Sequence, residues 1–413
     1  MRLVMQKHRV DALVVGGENT WSDHVLTVTP EAVSALFPKR DGLHLLEVRA
    51  TAPLSSIRFG PVLDVVGIRC CHGGTAFPGV TGPVSDAPER KLTLLENSAV
   101  CVVSNLAGVQ EGVIDTNAHW SPLASLHFLI CAVDVSPALD KAEADAEIRL
   151  FQCRLAELLA SLACENKADE EEILEWPPDL HGAEHLPKVG AIYFIQAQGA
   201  LRRTFYRGIA ADDMTPLLID PLECLGGALT SGNYVMPSNK TCTYIHHQAP
   251  VLRELLARHK TAWCFSGVIL SNEASTRQAK EDNVKRILDL AKNLNLQGVI
   301  INQEGGGNAD LDIMLACRTM EAAGIATVLL VNEFAGPDGK TPSLTEYAPE
   351  ARCMVSTGNN DYPAKLPPVR DFIGFSRGIL QRDDLTGAVV LPLSRHYGST
   401  NQLGFGRLAC ESR

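Results

Sequence analysis

The sequence lacks any pair of cysteines spaced as CxxC, although it carries 12 cysteines in 413 residues. Only Cys70 and Cys71 are close in the chain. A zinc or iron–sulfur site needs clustered ligands, so no metal is expected, and Cys71-His72 is a vicinal pair with no second cluster. Scattered cysteines suit reduced thiols better than a disulfide framework, which points to the cytoplasm. No apolar run approaches the roughly 20 residues of a membrane span. Residues Met1 to His8 lack the apolar core of a secretory signal. Basic runs are missing too, and the formal net charge of −11 argues against a nucleic-acid or membrane-surface partner. Neither the GK[ST] ending of a phosphate-binding loop nor a fully spaced GxGxxG occurs, so nucleoside triphosphate and nicotinamide binding are not expected. There is no internal repeat and no low-complexity tract.

What is present reads as a mixed α/β chain of two or three domains. Residues 1–135 are β-rich. Ala12-Leu-Val-Val, Val25-Leu-Thr-Val, His44 to Arg49, Ala99 to Val103 and Leu126 to Val133 favour strands, with Gly and Pro between them. Pro30 to Phe37 reads as a short helix opening on proline. Residues 136–188 read as a long amphipathic helix, from Pro137 to Ala163, followed by an acidic, proline-containing linker. The linker's Asp169 to Glu172 run is expected to be a solvated face. Residues 189–413 then read as an open, largely parallel α/β sheet. The apolar stretches Ala262–Leu270, Gly298–Asn302 and Ala326–Val331 alternate with helical patterns over Thr276–Leu294 and Asn308–Ala323. Met354 to Gly358 and Ala388 to Leu393 offer further strands.

In an open α/β sheet, ligands bind beyond the C-terminal ends of the strands. Asn272-Glu273, Asn302-Gln303-Glu304 and Asn332-Glu333 all fall there. Glu304-Gly305-Gly306-Gly307-Asn308 precedes a helix, so its N–H groups would cradle a carboxylate. The substrate-binding candidates are therefore Asn272, Glu273, Glu304, Gly305, Gly306, Asn308 and Glu333. The competing reading is a set of polar loop residues and helix caps. Asp310 and Asp312 read as first-turn helix charges.

The most informative stretch is Ser238-Asn239-Lys240-Thr241-Cys242-Thr243-Tyr244-Ile245-His246-His247. A Cys242 thiol can attack the Thr241 carbonyl through a five-membered ring, turning an amide into a less stable thioester. The backbone must then be strained or the thioester trapped. Removal of the Cys242 α-proton expels the thioacid and leaves dehydroalanine, whose hydrolysis gives ammonia and an N-terminal pyruvoyl group. These steps need a thiolate and a positioned base. His246 and His247 are the candidate bases, and Tyr244 or Thr243 would orient the carbonyl. The bland alternative is a buried structural cysteine with incidental histidines.

This stretch resembles the self-cleavage site of the component B proproteins of glycine, sarcosine and betaine reductases, which are related to the D-proline reductase proprotein. The resemblance extends over nearly the whole chain. Phe77-Pro78-Gly79-Val80, Gln110 to Asp115, Phe194 to Gly199 and Ser231-Gly232-Asn233 come before the junction. Gly267 to Glu273, Glu304 to Asn308, Asn332 to Gly339 and Leu366-Pro367-Pro368 come after it, in the family's order. It implies cleavage into residues 1–241 and 242–413, with Cys242 becoming a pyruvoyl cofactor that acts as an electron sink on a substrate amine. It also implies a selenoprotein subunit supplying the nucleophile, a further selenoprotein accepting the product fragment, and hence a hetero-oligomer. The Thr241-Cys242 junction leaves a D-proline reductase-like proprotein open. A non-cleaving scaffold or small-molecule binding relative remains a third reading.

Overall fold

The computed structural model describes residues 1–106, 112–177, 181–197, 203–232, 237, 241–378 and 381–403. Parts of the quoted resemblance lie outside these residues: Gln110, Glu111, Gln198, Gly199, Asn233 and Ser238 to Lys240.

The N-terminal half is built on a six-stranded mixed sheet. Its strands are β1 (Arg2–Arg9), β2 (Leu43–Thr51), β3 (Val62–Cys71), β4 (Glu89–Ser104), β5 (His127–Val135) and β6 (Glu170–Glu175). Their order is β6-β1-β4-β5-β2, with β3 on β4. The 16-residue β4 holds the sheet together. Parallel partners β1 and β5 take its first and second halves, and β3 runs antiparallel along it. Helix α1 (Lys141–Ser161) packs its Ile148, Phe151, Leu155 and Leu159 face into this core. Asp140 caps α1 by accepting from the N–H groups of Ala142 and Glu143.

One sequence expectation changes here. The acidic stretch read as linker contains β6, which pairs antiparallel with β1 from Arg2↔Glu175 to Lys7↔Glu170. Charge pairing makes this acidic strand possible. Lys7 reaches Glu170 at 2.7 Å and Glu172 at 3.0 Å, and Arg253 grips both oxygens of Glu172.

The second half contains the expected open sheet. Its strands are β7 (Lys188–Ile195), β8 (Leu217–Ile219), β9 (Cys264–Asn272), β10 (Gly298–Gln303), β11 (Ala326–Glu333) and β12 (Met354–Asn359), in the order β8-β9-β7-β10-β11-β12. Only β8 is antiparallel. Ile192, Phe194, Ile269 and Ile301 pack on one face with residues of the helices Arg277–Asn293 and Asn308–Ala322. Thr276 caps the first of these helices through the Ala279 N–H. The chain then returns to the first half. Asp371–Gly374 pairs with Ile57–Gly60, and the Arg58 guanidinium, buried against Asp115 at 2.8 Å, also donates to the carbonyls of Pro367, Leu385 and Gly387. The two halves therefore share one core, in which Cys242 lies with residues of both. Among the described residues no helix is long and apolar enough to cross a membrane.

Candidate functional site

Cys242 sits just ahead of a short helix, α2 (Thr243–Gln248), which packs against β3, the strand Leu229–Ser231 and the helix Pro221–Leu225. Its backbone is relaxed and extended (φ −71°, ψ 157°), so the strain considered from the sequence is not stored at Cys242. What the structure places around the Thr241-Cys242 junction is a set of buried polar partners.

The Thr241 carbonyl, the group a Cys242 thiol would attack, accepts a hydrogen bond from Ser231 Oγ at 2.9 Å. Ser231 ends the short strand Leu229–Ser231, and its own N–H donates to Thr243 Oγ1 at 2.8 Å. Asp64 on β3 fixes Thr243 from the other side. It accepts from the Thr243 N–H at 3.0 Å and from its hydroxyl at 2.6 Å. The hydroxyl on the carbonyl is thus that of Ser231, where the sequence suggested Tyr244 or Thr243. Thr243 braces Ser231, and Tyr244 turns into a cavity over Gly67.

Glu304 clamps the junction from the second sheet. Its Oε1 accepts from the Thr241 N–H at 2.8 Å, and its Oε2 accepts from the Gln196 N–H at 2.7 Å and the Thr204 hydroxyl at 2.5 Å. His246 Nε2 stands 3.3 Å from Glu304 Oε1, at ion-pair distance, and neither ring nitrogen of His246 has an aligned hydrogen-bond partner among the described residues. Burial alone would raise the Glu304 pKa. His246 and the donors from Gln196 and Thr204 outweigh it and hold the carboxyl down at about 2. Asn401 Nδ2 donates to Thr241 Oγ1 at 3.1 Å, which completes the enclosure.

The two histidines have different surroundings. The backbone N–H of His246 donates to the Cys242 carbonyl at 3.1 Å, and the His246 ring lies at Glu304. His247 Nε2 donates to the Leu229 carbonyl at 2.8 Å, so its Nδ1 carries a bare lone pair. Burial, then the nearby Arg69, push the His247 pKa well below its ordinary value, which keeps the ring neutral. The Cys242 thiol is pushed up, first by burial and then by Asp64, against the N–H groups of Ile245 and Tyr244. It is a thiol in this state and needs a base to react.

The substrate-binding candidates spread over a wider polar layer. Glu304 has both oxygens engaged by the chain itself, so it belongs to the junction and is not open to a ligand. Gly305 accepts from Gln402 Nε2 at 2.8 Å through its carbonyl, and Gly306 presses on Phe334. Asn308 opens its helix on the solvent side. Glu333, at the end of β11, is half-buried. Asn272 accepts from Asn283 Nδ2 at 2.7 Å. Glu273 is fully buried with no hydrogen-bond partner for either carboxyl oxygen among the described residues, and burial, then Asp312 and Glu304, raise its pKa well above the usual range. Asp312 is not a first-turn helix charge: it is buried in an ion pair with Lys280. Asp310 accepts from Gln303 Nε2 and from Thr345.

Sequence reasoning missed Asp64 and the role of Ser231. Asp64 is the single acid in the apolar run Val62-Leu-Asp-Val-Val-Gly-Ile68, and a lone carboxylate there must find buried donors. Ser231 entered only as part of a resembling segment.

The glycine/sarcosine/betaine reductase component B subunits family matches residues 1–411. "Glycine reductase complex component B subunits alpha and beta" of Peptoclostridium acidaminophilum is 29% identical over 429 residues, covering all of both chains. "Sarcosine reductase complex component B subunit alpha" of the same organism is 31% identical and covers 91% of this chain and 89% of its own. "Betaine reductase complex component B subunit alpha", also from that organism, is 29% identical over 94% of this chain and 90% of its own. No solved structure matches the chain. By the match over nearly its whole length, the chain belongs to the glycine/sarcosine/betaine reductase component B family.

Proposed function

We propose that this protein is the precursor of a pyruvoyl-dependent component B of an amino-acid reductase, and that it cuts itself between Thr241 and Cys242. The observation that carries the reading is the junction itself: the Ser231 hydroxyl on the scissile carbonyl, with His246 and Glu304 enclosing it.

Each residue has a task in the cut. In its neutral form His246 takes the Cys242 thiol proton, and the sulfur adds to the Thr241 carbonyl carbon. Ser231 Oγ–H donates to the oxygen as negative charge develops there, in a site from which water is excluded. His246 passes that proton to the Cys242 nitrogen as the C–N bond breaks, leaving a thioester, the free Cys242 amine and a neutral His246. His246 next removes the Cys242 α-proton, which expels the Thr241 thioacid and makes the step irreversible. That elimination, in place of backbone strain, drives the sequence forward. Glu304 and Asn401 hold Thr241 in place, and the Asp64–Thr243 brace keeps Ser231 aimed. The residues present therefore fit formation of the group. When formed, the pyruvoyl supplies a carbonyl electron sink toward a substrate amine.

Two further points support the reading. The full-length relative's name covers two subunits, alpha and beta, in a chain matched end to end, as an internal cut would yield. The names of the relatives point to glycine, sarcosine or betaine as substrate. Betaine, a quaternary amine, cannot condense with a carbonyl, so glycine and sarcosine fit the simple scheme. The nucleophile that attacks the substrate α-carbon comes from a selenoprotein subunit, which makes the working enzyme a cytoplasmic hetero-oligomer.

The test is the intact mass of the purified chain under denaturing conditions. Fragments of about 26 and 19 kDa, in proportion to residue count, are expected from the wild type, and one uncut chain from Cys242→Ala. A Cys242→Ala chain that still cleaves would falsify the mechanism. A wild-type chain that stays whole would point instead to a scaffold.

A further inference from the structure

Arg69, on β3, is a buried guanidinium with no carboxylate partner among the described residues. Only 4% of it is exposed, and among the described residues its guanidinium makes one hydrogen bond, from Nη1 to the Leu225 carbonyl at 2.7 Å. It lines a cavity of about 240 Å³ with Gly67 and Ile68 of β3, Leu94 to Ser98 of β4, Tyr244 and Gln248 of α2, and the cations Lys7 and Arg253. The other two cations are already matched: Lys7 with Glu170 and Glu172, and Arg253 with Glu172. Glu96 is the one carboxylate on the lining, and it lies toward Lys7 at 3.9 Å. A buried charge without a partner is costly, and a fork of five donors with one in use is open to an anion.

The local backbone makes room for such an anion. The β3–β4 ladder slips register between Gly67 and Arg69, and Asn97 on β4 takes a left-handed conformation (φ 59°) opposite. Bulges of this kind re-aim side chains beside functional sites. Gly67 lets the Tyr244 ring close the cavity, since a β-carbon there would meet Tyr244 at 3.3 Å. Tyr244 stands two residues from Cys242 and feels both the Cys242 thiol and the Arg69 guanidinium.

We propose that this cavity is a carboxylate subsite, in which Arg69 binds the carboxylate of a small amino-acid substrate bidentately, with Tyr244, two residues from Cys242, on its wall. The identity of the occupant rests on the proposed function. Glycine, sarcosine and betaine differ at nitrogen and share a CH₂–carboxylate, so one carboxylate fork serves any of them. The volume suits a molecule of that size, well below the roughly 300–1,000 Å³ of drug-sized sites. Burial, with Arg90 and Arg253 close by, pulls the Arg69 pKa down to about 9, the behaviour of a cation short of counter-charge.

The test is ligand-observed NMR titration of the full-length Cys242→Ala chain, which cannot mature, with betaine, acetate, trimethylamine and inorganic phosphate. Betaine and acetate are expected to bind and trimethylamine not to. Arg69→Gln is expected to weaken betaine about 10- to 100-fold, the span of a charge-assisted hydrogen bond. Unchanged betaine binding in a folded Arg69→Gln chain overturns the proposal. So does equal binding of trimethylamine, or binding of phosphate without either carboxylate. Should Arg69→Gln not fold, Gly67→Val decides: it fills the cavity and keeps Arg69, and it must weaken betaine as well. Because the titrated chain cannot cleave, loss of the carboxylate subsite and loss of self-cleavage are read separately.

Discussion

Replacing Ser231 by alanine removes one oxygen from a buried site and separates ground-state packing from chemistry. The Ser231 N–H to Thr243 Oγ1 bond is a backbone contact and survives the substitution. The Thr241 carbonyl, buried with its residue, loses its hydroxyl donor. Leaving such an acceptor unpaired costs roughly 1–3 kcal/mol of stability. The larger effect falls on the cleavage rate. A preorganised donor to a developing oxyanion contributes about 2.7–4 kcal/mol to the transition state, so cleavage is expected to slow about 100- to 1,000-fold. The assay follows the uncut chain by mass after rapid purification, with thermal unfolding measured in parallel. Ser231→Thr keeps a hydroxyl and is expected to recover much of the rate. A Ser231→Ala chain that is folded, slightly less stable and cleaves at the wild-type rate would refute the role given to this hydroxyl.

Other expectations follow from the same geometry. His246→Gln should stop cleavage and lower stability at neutral pH by loosening the hold on ionised Glu304; His247→Gln should lower stability through the lost Leu229 contact and leave slower but measurable cleavage, so fragment yield distinguishes the two. The cleavage rate should climb as pH rises above neutrality, because the raised Cys242 pKa keeps the thiolate scarce; a rate flat from pH 7 to 9 would contradict this. Glu273→Gln should stabilise the protein at neutral pH. The folded pKa lies above the ordinary 4.5, so ionisation of the unfolded chain works against the fold, and the gain should grow as pH rises from 4.5, level off once the folded group ionises, and vanish below 4.5 in denaturant titrations. Glu304 has the opposite sign. Its folded pKa near 2 contributes stability above pH 4.5 that is lost as the pH falls toward 2, so Glu304→Gln should be destabilising at pH 7, with the difference shrinking through that window.

The parallel sheet was readable because burial on both faces writes continuous apolar runs. Cys264–Asn272, Gly298–Gln303 and Ala326–Glu333 fall within a few residues of their expected places. Strand β6 was not readable. Its sequence Glu170-Glu-Glu-Ile-Leu-Glu175 is that of a solvated segment, and only Lys7, Arg2 and Arg253, distant in the chain, make it a strand. At the site, Cys242, Thr241 and the two histidines were visible because their chemistry is local to one stretch. Asp64, Ser231 and Asn401 were not, since they reach the junction from three other parts of the chain and single polar residues carry no periodic signal. Glu304 was found by its place at a strand end, but its partners show it holding the protein's own backbone. Nor could the sequence tell the two histidines apart, since the Leu229 carbonyl that His247 binds and the Glu304 carboxylate beside His246 come from other parts of the chain.

The account stands most directly on the chemical identity of the residue at position 242 after purification. Peptide mass spectrometry of the small fragment, with and without a carbonyl-trapping hydrazine, reads it. The account predicts an N-terminus that has lost ammonia and hydrogen sulfide and gained water relative to Cys242, and that takes up one hydrazine. An intact Cys242 amide to Thr241, or a free N-terminal cysteine that ignores hydrazine, would contradict it.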